Sequence, residues 1–211
     1  MDKVKKTVSI IDYGMGNIGS IRNSLERLNV PSNVVKSEKE IMKSTILILP
    51  GVGAFDQAVK NLHERKIFNS INYVVKEKMV PTLGICLGAQ LACKSSVENG
   101  HNKGFGWHPS EVKELHASGS VRVPHVGWNS INYLRTSILL KNLKRFTNFY
   151  FDHSFYISES KDTISSSNHG KRFSSILQRK NIVSVQFHPE KSSQSGLQFL
   201  KNFIKFSEEF L

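Results

Sequence analysis

Short apolar runs alternate with amphipathic stretches through the first half of the chain. Residues 8–12, 32–36, 45–49 and 81–85 contain these short apolar runs and read as strands. Between them, residues 19–28, 37–43 and 67–78 carry apolar positions at helical spacing, and Ser37 with Glu40 forms a capping box at the start of the second stretch. Strand-helix alternation of this kind predicts a parallel sheet covered by helices on both sides. From Ser110 onward the periodic segments shorten, and 112–115, 130–134, 149–157, 163–167, 173–178 and 182–186 predict strands joined by turns. A closing helix over 195–207 places Leu197, Leu200, Phe203 and Ile204 on one face as core residues. Residues 95–104 predict a loop, and there are no repeats, low-complexity tracts or linkers. The fold class that follows is α/β: an open mixed sheet, a parallel core flanked by helices, and an antiparallel C-terminal portion. At 211 residues and 39% hydrophobic content, the chain 1–211 fits a single domain with one substantial core.

The chemistry concentrates at two places. Gly84-Ile85-Cys86-Leu87-Gly88-Ala89-Gln90 follows the apolar run 80–83 and leads into Leu91-Ala92-Cys93, so a buried strand turns sharply into a helix at Cys86. This is a nucleophile elbow with Cys at its tip. A side chain there sits on strained backbone, and the residues two before and two after it must be small for strand and helix to approach. Gly84 and Gly88 occupy those positions. Helix N–H groups pointing at Cys86 favour its thiolate, and the Leu87 N–H is placed to donate to an oxyanion. Taken alone, Cys86 is equally well a small hydrophobe in a core.

Gln186-Phe187-His188-Pro189-Glu190 weighs against that plainer reading. In an extended segment residues two apart share a face, and Pro189 keeps the segment extended, so Glu190 lies beside the His188 ring and fixes its tautomer. Cys86, His188 and Glu190 then supply a nucleophile, a base and an orienting acid. Gly14 to Asn17, residues 51–53 and Cys86 all follow expected strands, so the three motifs converge beyond the carboxyl ends of a parallel sheet. Gly51, Val52 and Gly53 suit a second oxyanion donor on a strand, or else form an ordinary βα turn.

Charge and cysteines narrow the partners. The formal net charge of +12 is spread along the chain, at Lys3, Lys5 and Lys6, at Lys141, Lys144 and Arg145, at Lys171 and Arg172, and at Arg179 and Lys180. No nucleic-acid motif accompanies it, so a solvated surface or a face for an acidic partner is expected rather than nucleic acid. Cys86 and Cys93 lie seven apart, on what is expected to be one helix, too far for a disulfide. No metal-ligand spacing occurs, so neither metal nor cofactor is expected. The charged start, Met1 to Lys6, runs straight into a strand, and no apolar run reaches the ~20 residues of a membrane span, so a cytoplasmic protein is expected.

The two site motifs resemble those of class I glutamine amidotransferases. The similarity continues through Ile11-Asp12-Tyr13-Gly14-Met15-Gly16-Asn17-Ile18, Leu49-Pro50-Gly51-Val52-Gly53-Ala54-Phe55, Val123-Pro124-His125-Val126-Gly127-Trp128-Asn129 and Tyr150-Phe151-Asp152-His153-Ser154-Phe155. In order, these resemble the branch whose members release ammonia for imidazole glycerol phosphate synthesis in the histidine pathway. The resemblance implies that Gln90, Glu98, Ser154 and Phe155 hold glutamine, with Glu98 receiving its α-ammonium group. It implies a (β/α)₈-barrel cyclase as partner in a heterodimer, with Asn17, Trp128 and Lys191 near the junction. Read from the residues alone, Glu98 is equally loop surface, and Trp128 equally a buried core ring.

Three segments depart from that branch. Gly104-Phe105-Gly106-Trp107-His108-Pro109 stands where the branch is more aliphatic, Phe155 where Tyr is common, and Asn168-His169-Gly170 where a Tyr-Gly pair is usual. None removes a reacting group. They admit a second reading, a paralogue supplying ammonia to a sugar amidation step in surface polysaccharide synthesis.

Overall fold

The computed structural model describes residues 7–211; the charged start, with Lys3, Lys5 and Lys6, lies outside the described residues. The first half runs β1 (Val8–Ile11), α1 (Ile18–Arg27), β2 (Ser32–Val35), α2 (Glu38–Ile41), β3 (Leu47–Leu49), α3 (Phe55–Glu64), α4 (Phe68–Lys76), β4 (Thr82–Ile85) and α5 (Leu87–Leu91). The four expected strands and three expected helices are all present. The Ser37–Glu40 capping box forms with both of its hydrogen bonds. α3 went unread, because Phe55, Ala58 and Leu62 are its only buried residues and its N-cap residue, Ala54, has no polar side chain to signal the start.

The second half runs β5 (Ser95–Ser96), β6 (Asn102–Lys103), β7 (Glu111–Glu114), β8 (His125–Ser130), β9 (Asn132–Tyr133), β10 (Asn148–His153), β11 (Phe155–Ile157), β12 (Thr163–His169), β13 (Lys171–Arg179), β14 (Ile182–Val185) and α6 (Ser193–Ser207). Four expectations are corrected here. Residues 95–104 are not all loop, since β5 and β6 pair there through backbone hydrogen bonds. Residues 149–157 break at Ser154 into β10, which pairs with β8, and β11, which pairs with β7. Residues 130–134 are split between β8 and β9. α5 ends at Leu91, so Cys93 lies beyond the helix that Cys86 starts, and both thiols are free.

The main sheet has the order β2-β1-β3-β4-β14-β13-β12-β9. β2, β1, β3, β4 and β14 are parallel, and β13, β12 and β9 continue antiparallel. β14 therefore belongs to the parallel core as well as to the antiparallel portion, because a strand has two edges. Both faces are buried by alternation: Ile11, Leu47 and Leu49 face one apolar cluster with α3, α4 and α5, while Ile10, Ile48, Leu83 and Ile85 face the other with α1 and α6. Trp107 is 2% exposed, and its ring stacks on Phe105, which stacks on Phe68, at 4.4 and 4.2 Å. The departing segment 104–109 thus fills core. Among the described residues no helix is long and apolar enough to cross a membrane.

Candidate active site

β4 and β14 lie side by side with Ile85 opposite Val185, and the Cys86 N–H donates to the Val185 carbonyl at 2.8 Å. Cys86 and His188 therefore leave adjacent strand ends. Cys86 has φ 51° and ψ −106°, the strained geometry of an elbow tip. The glycines around it leave no room for more: a Cβ on Gly84 would meet Gly88 O at 2.8 Å, and one on Gly88 would meet Leu49 O at 1.9 Å. Gly51 is equally confined, since a Cβ there would lie 2.7 Å from Leu87 Cβ and 2.8 Å from Gly88 N. Close approach, rather than turn formation, requires glycine at these positions. Residues 51–53 form a loop after β3, not the expected strand, and Gly53 takes φ +110°. The buried Tyr13 hydroxyl donates to Pro50 O at 2.8 Å and anchors that loop's start.

His188 is 1% exposed, and its Nδ1 lies 2.8 Å from Glu190 Oε1. The pair forms by a different route from the one expected, because Pro189–Lys191 is a 3₁₀ turn and not an extended segment. Backbone contacts fix the turn: His188 N–H donates to Tyr150 O at 2.8 Å, and buried Ser192 Oγ donates to His188 O at 2.6 Å. Glu190 Oε2 is buried with no hydrogen-bond partner among the described residues, so His188 is the carboxylate's one side-chain contact of this kind. Burial opposes the His188 imidazolium, but the facing Cys86, by charge and by hydrogen bond, and then Glu190 outweigh it, raising His188 to about 10. The arrangement favours a charged imidazole beside the sulfur.

A cavity of ≈ 280 Å³ opens over Cys86, lined by Val52, Gly53, Leu87, Gln90, Glu98, Asp152, Ser154, Phe155 and His188, with Pro124 and His153 completing it. Gly51 lies beneath the wall rather than in it. Gln90 Nε2 donates to Phe155 O at 2.8 Å. Glu98 is half-buried across the cavity, accepts from Phe55 N–H at 2.9 Å, and has its carboxyl raised by burial first and by Asp56. Glu98 is therefore not plain loop surface. Among the described residues no group of three His, Cys, Asp or Glu is placed to hold a metal.

Sequence reasoning gave no role to two residues that touch the sulfur. Cys86 Sγ donates to Asp152 O at 3.7 Å, and Gln186 Nε2 donates to Cys86 Sγ at 3.9 Å. Both stand inside motifs quoted from the sequence, and their adjacency to Ser154 and His188 was the available signal. The three residues expected at a junction lie off the cavity. Trp128 is 54% exposed, which rules out the core reading, and its ring meets Tyr150 edge-on at 6.2 Å. Lys191 Nζ lies 3.7 Å from Asp152 Oδ2 and 5.4 Å from the Tyr150 ring centre. Asn17 caps α1, accepting from Ser20 N–H, and α1 packs beside the Pro189–Lys191 turn.

Residues 9–206 match the family model described as Glutamine amidotransferase class-I. The chain is 43% identical over 200 residues to "Imidazole glycerol phosphate synthase subunit HisH" of Moorella thermoacetica, covering 94% of each. It is 38% identical to "Imidazole glycerol phosphate synthase subunit HisH 2" of Methanococcus maripaludis, covering 94% of this chain and 98% of that one. A solved structure described as "glutamine amidotransferase" superposes with a TM-score of 0.74 at 16% identity, covering 95% of this chain and 98% of the other.

Proposed function

The chain belongs to the class-I glutamine amidotransferases, and from that premise we propose that it is the glutaminase subunit of an imidazole glycerol phosphate synthase. In this reading the whole chain is one amidotransferase domain, working in the cytoplasm on L-glutamine. The single observation that carries the site assignment is the convergence of Cys86, His188 and Glu190 under one cavity at adjacent strand ends.

The Cys86 thiolate attacks the side-chain amide carbon of glutamine, and the carbonyl oxygen becomes an oxyanion. Leu87 N–H, the first amide of α5, and an N–H of the 51–53 loop stabilise it. The His188 imidazolium gives its proton to the amide nitrogen as the C–N bond breaks, releasing ammonia and leaving a glutamyl thioester. Water then attacks the thioester carbon, His188 takes its proton, and the C–S bond breaks to yield glutamate and the thiolate. Glu190 holds the imidazole throughout. Gln90, Ser154 and Phe155 grip the substrate, and Glu98 pairs with its α-ammonium group.

Free ammonia would be protonated in water, so it passes to a (β/α)₈-barrel cyclase making imidazole glycerol phosphate and AICAR. The exposed Trp128 and Lys191, with Asn17, mark the docking face. No nucleic acid enters this reading. The departures at 104–109, Phe155 and 168–170 admit a second reading, the paralogue that supplies a sugar amidation step. Glutamate release from glutamine decides between them. Strong stimulation by the histidine-pathway cyclase with its ribulosyl nucleotide supports the first. Silence with that cyclase, and activity with a barrel protein encoded beside sugar-modifying enzymes, supports the second.

A further inference from the structure

Two buried imidazoles stand beside the cavity and take no part in the hydrolysis just described. His153 ends β10 and lines the cavity; His125 begins β8 opposite it. Asn129 Nδ2 lies 3.2 Å from His125 Nε2, His125 Nδ1 lies 3.0 Å from His153 Nε2, and His153 Nδ1 lies 2.9 Å from Phe155 O. One carbonyl dictates every proton in this series. A carbonyl oxygen only accepts, so His153 carries its hydrogen on Nδ1 and a neutral His153 accepts at Nε2. His125 must then donate from Nδ1 and accept at Nε2, which only the Asn129 amide hydrogen satisfies.

The neutrality that this logic needs has physical causes. Burial first, and His169 second, hold His125 down at about 4; burial first, and His125 next, hold His153 down at about 3. His169 stacks on His125 at 4.0 Å while its Nε2 donates to Arg122 O at 2.7 Å, so the departing Asn168-His169-Gly170 segment covers the outer ring.

We propose that His125 and His153 are positioning residues, a one-way hydrogen-bond relay from Asn129 to the Phe155 carbonyl that fixes the Ser154–Phe155 wall of the cavity. Between His153 and Phe155 the chain leaves the β8–β10 sheet for the β7–β11 sheet, turning a corner at Ser154. Ser154 O accepts from Leu115 N–H at 2.9 Å, and Phe155 O, one residue on, is held by side chains, accepting from both His153 Nδ1 and Gln90 Nε2. The proposal rests on the reading that this cavity takes glutamine.

Nitrogen-15 NMR of the histidines in the intact protein at neutral pH tests the relay directly. Both rings are expected neutral with hydrogen on Nδ1, and hydrogen on Nε2 in either overturns it. Alkylation of Cys86 by a glutamine-shaped diazoketone tests its purpose. His153→Leu is expected to weaken the reversible binding step ~10-fold with the limiting alkylation rate unchanged. His153→Asn, whose Nδ2 replaces the Nδ1 donor, restores binding. Equal binding by wild type and His153→Leu overturns the relay alone. A wild-type protein not alkylated at Cys86 overturns the glutamine reading, and the proposal with it, while the NMR result stands apart.

Discussion

His188 and His108 are both buried, and each meets a carboxylate through Nδ1, Glu190 Oε1 at 2.8 Å and Asp162 Oδ2 at 2.9 Å. Each ring also faces a heteroatom: Cys86 for His188, and Ser184 Oγ, 3.1 Å from Nε2, for His108. β14 serves both sets, with Ser184 inside the strand and His188 beyond its end. Ser184 is paired on both sides, to Gly84 and Leu177, and His108 is 0% exposed. None of Ser184, His108 and Asp162 lines the cavity over Cys86. A nucleophile-imidazole-carboxylate set is thus simply a good way to satisfy a buried ring. What distinguishes the proposed catalytic set is position, at the carboxyl ends of parallel strands where a cavity can open.

The sharpest way to break that comparison is to remove each heteroatom. Cys86→Ala is expected to reduce glutamine hydrolysis by the assembled enzyme by ~10⁴-fold or more. Ser184→Ala is expected to leave the rate within ~3-fold, since it removes a buried bond and no reacting atom. Steady-state kinetics of the two variants read this out, and comparable losses would make the sealed set part of the reaction.

The carboxylates should separate next. Glu190→Gln is expected to lower kcat by ~10²-fold or more, because the imidazolium loses its charged partner during turnover. Asp162→Asn is expected to leave kcat near wild type and to lower the melting temperature. His108→Leu sharpens the point: it strands the Asp162 carboxylate in the core, a loss of ~3 kcal/mol in chemical denaturation. Unchanged stability there would mean that the sealed set holds nothing together.

The same distinction explains what the sequence disclosed. The central parallel strands such as β1 and β3 were legible because both faces are buried, and the elbow because Gly84 and Gly88 leave no alternative at 2.8 and 1.9 Å. Four of the expected cavity contacts, Gln90, Glu98, Ser154 and Phe155, came from motif resemblance and not from pattern, since a hydrogen bond such as Gln90 Nε2 to Phe155 O joins residues 65 apart. The His108–Asp162–Ser184 set was invisible for the same reason, spanning 54 and 76 residues. β8 escaped notice because only His125 in it is buried, and its exposed Val126 and Trp128 look outward. The 3₁₀ turn at Pro189–Lys191 was misread as extended because proline's fixed φ suits either conformation.

The smallest effects expected concern protons, and they have opposite signs in two regions. Burial opposes the His188 charge, yet Cys86 and Glu190 raise it to about 10 in the folded chain, against ~6.5 for free histidine. The folded state therefore binds that proton more tightly, and this contribution to stability is complete below ~6.5 and lost as pH rises through about 10. His125, depressed by burial and by His169 to about 4, behaves inversely: its contribution is present above ~6.5 and lost as pH falls through about 4. Cys86→Ala removes the first of the two groups that raise His188 and leaves Glu190, so the alkaline edge of the melting profile should become shallower, with shifts of ~2–4 °C. His125→Leu should flatten the acid edge and leave the alkaline edge in place. Melting curves across pH for wild type and both variants test this, and a Cys86→Ala profile that changes only on the acid side would remove the coupling between sulfur and imidazole from the site.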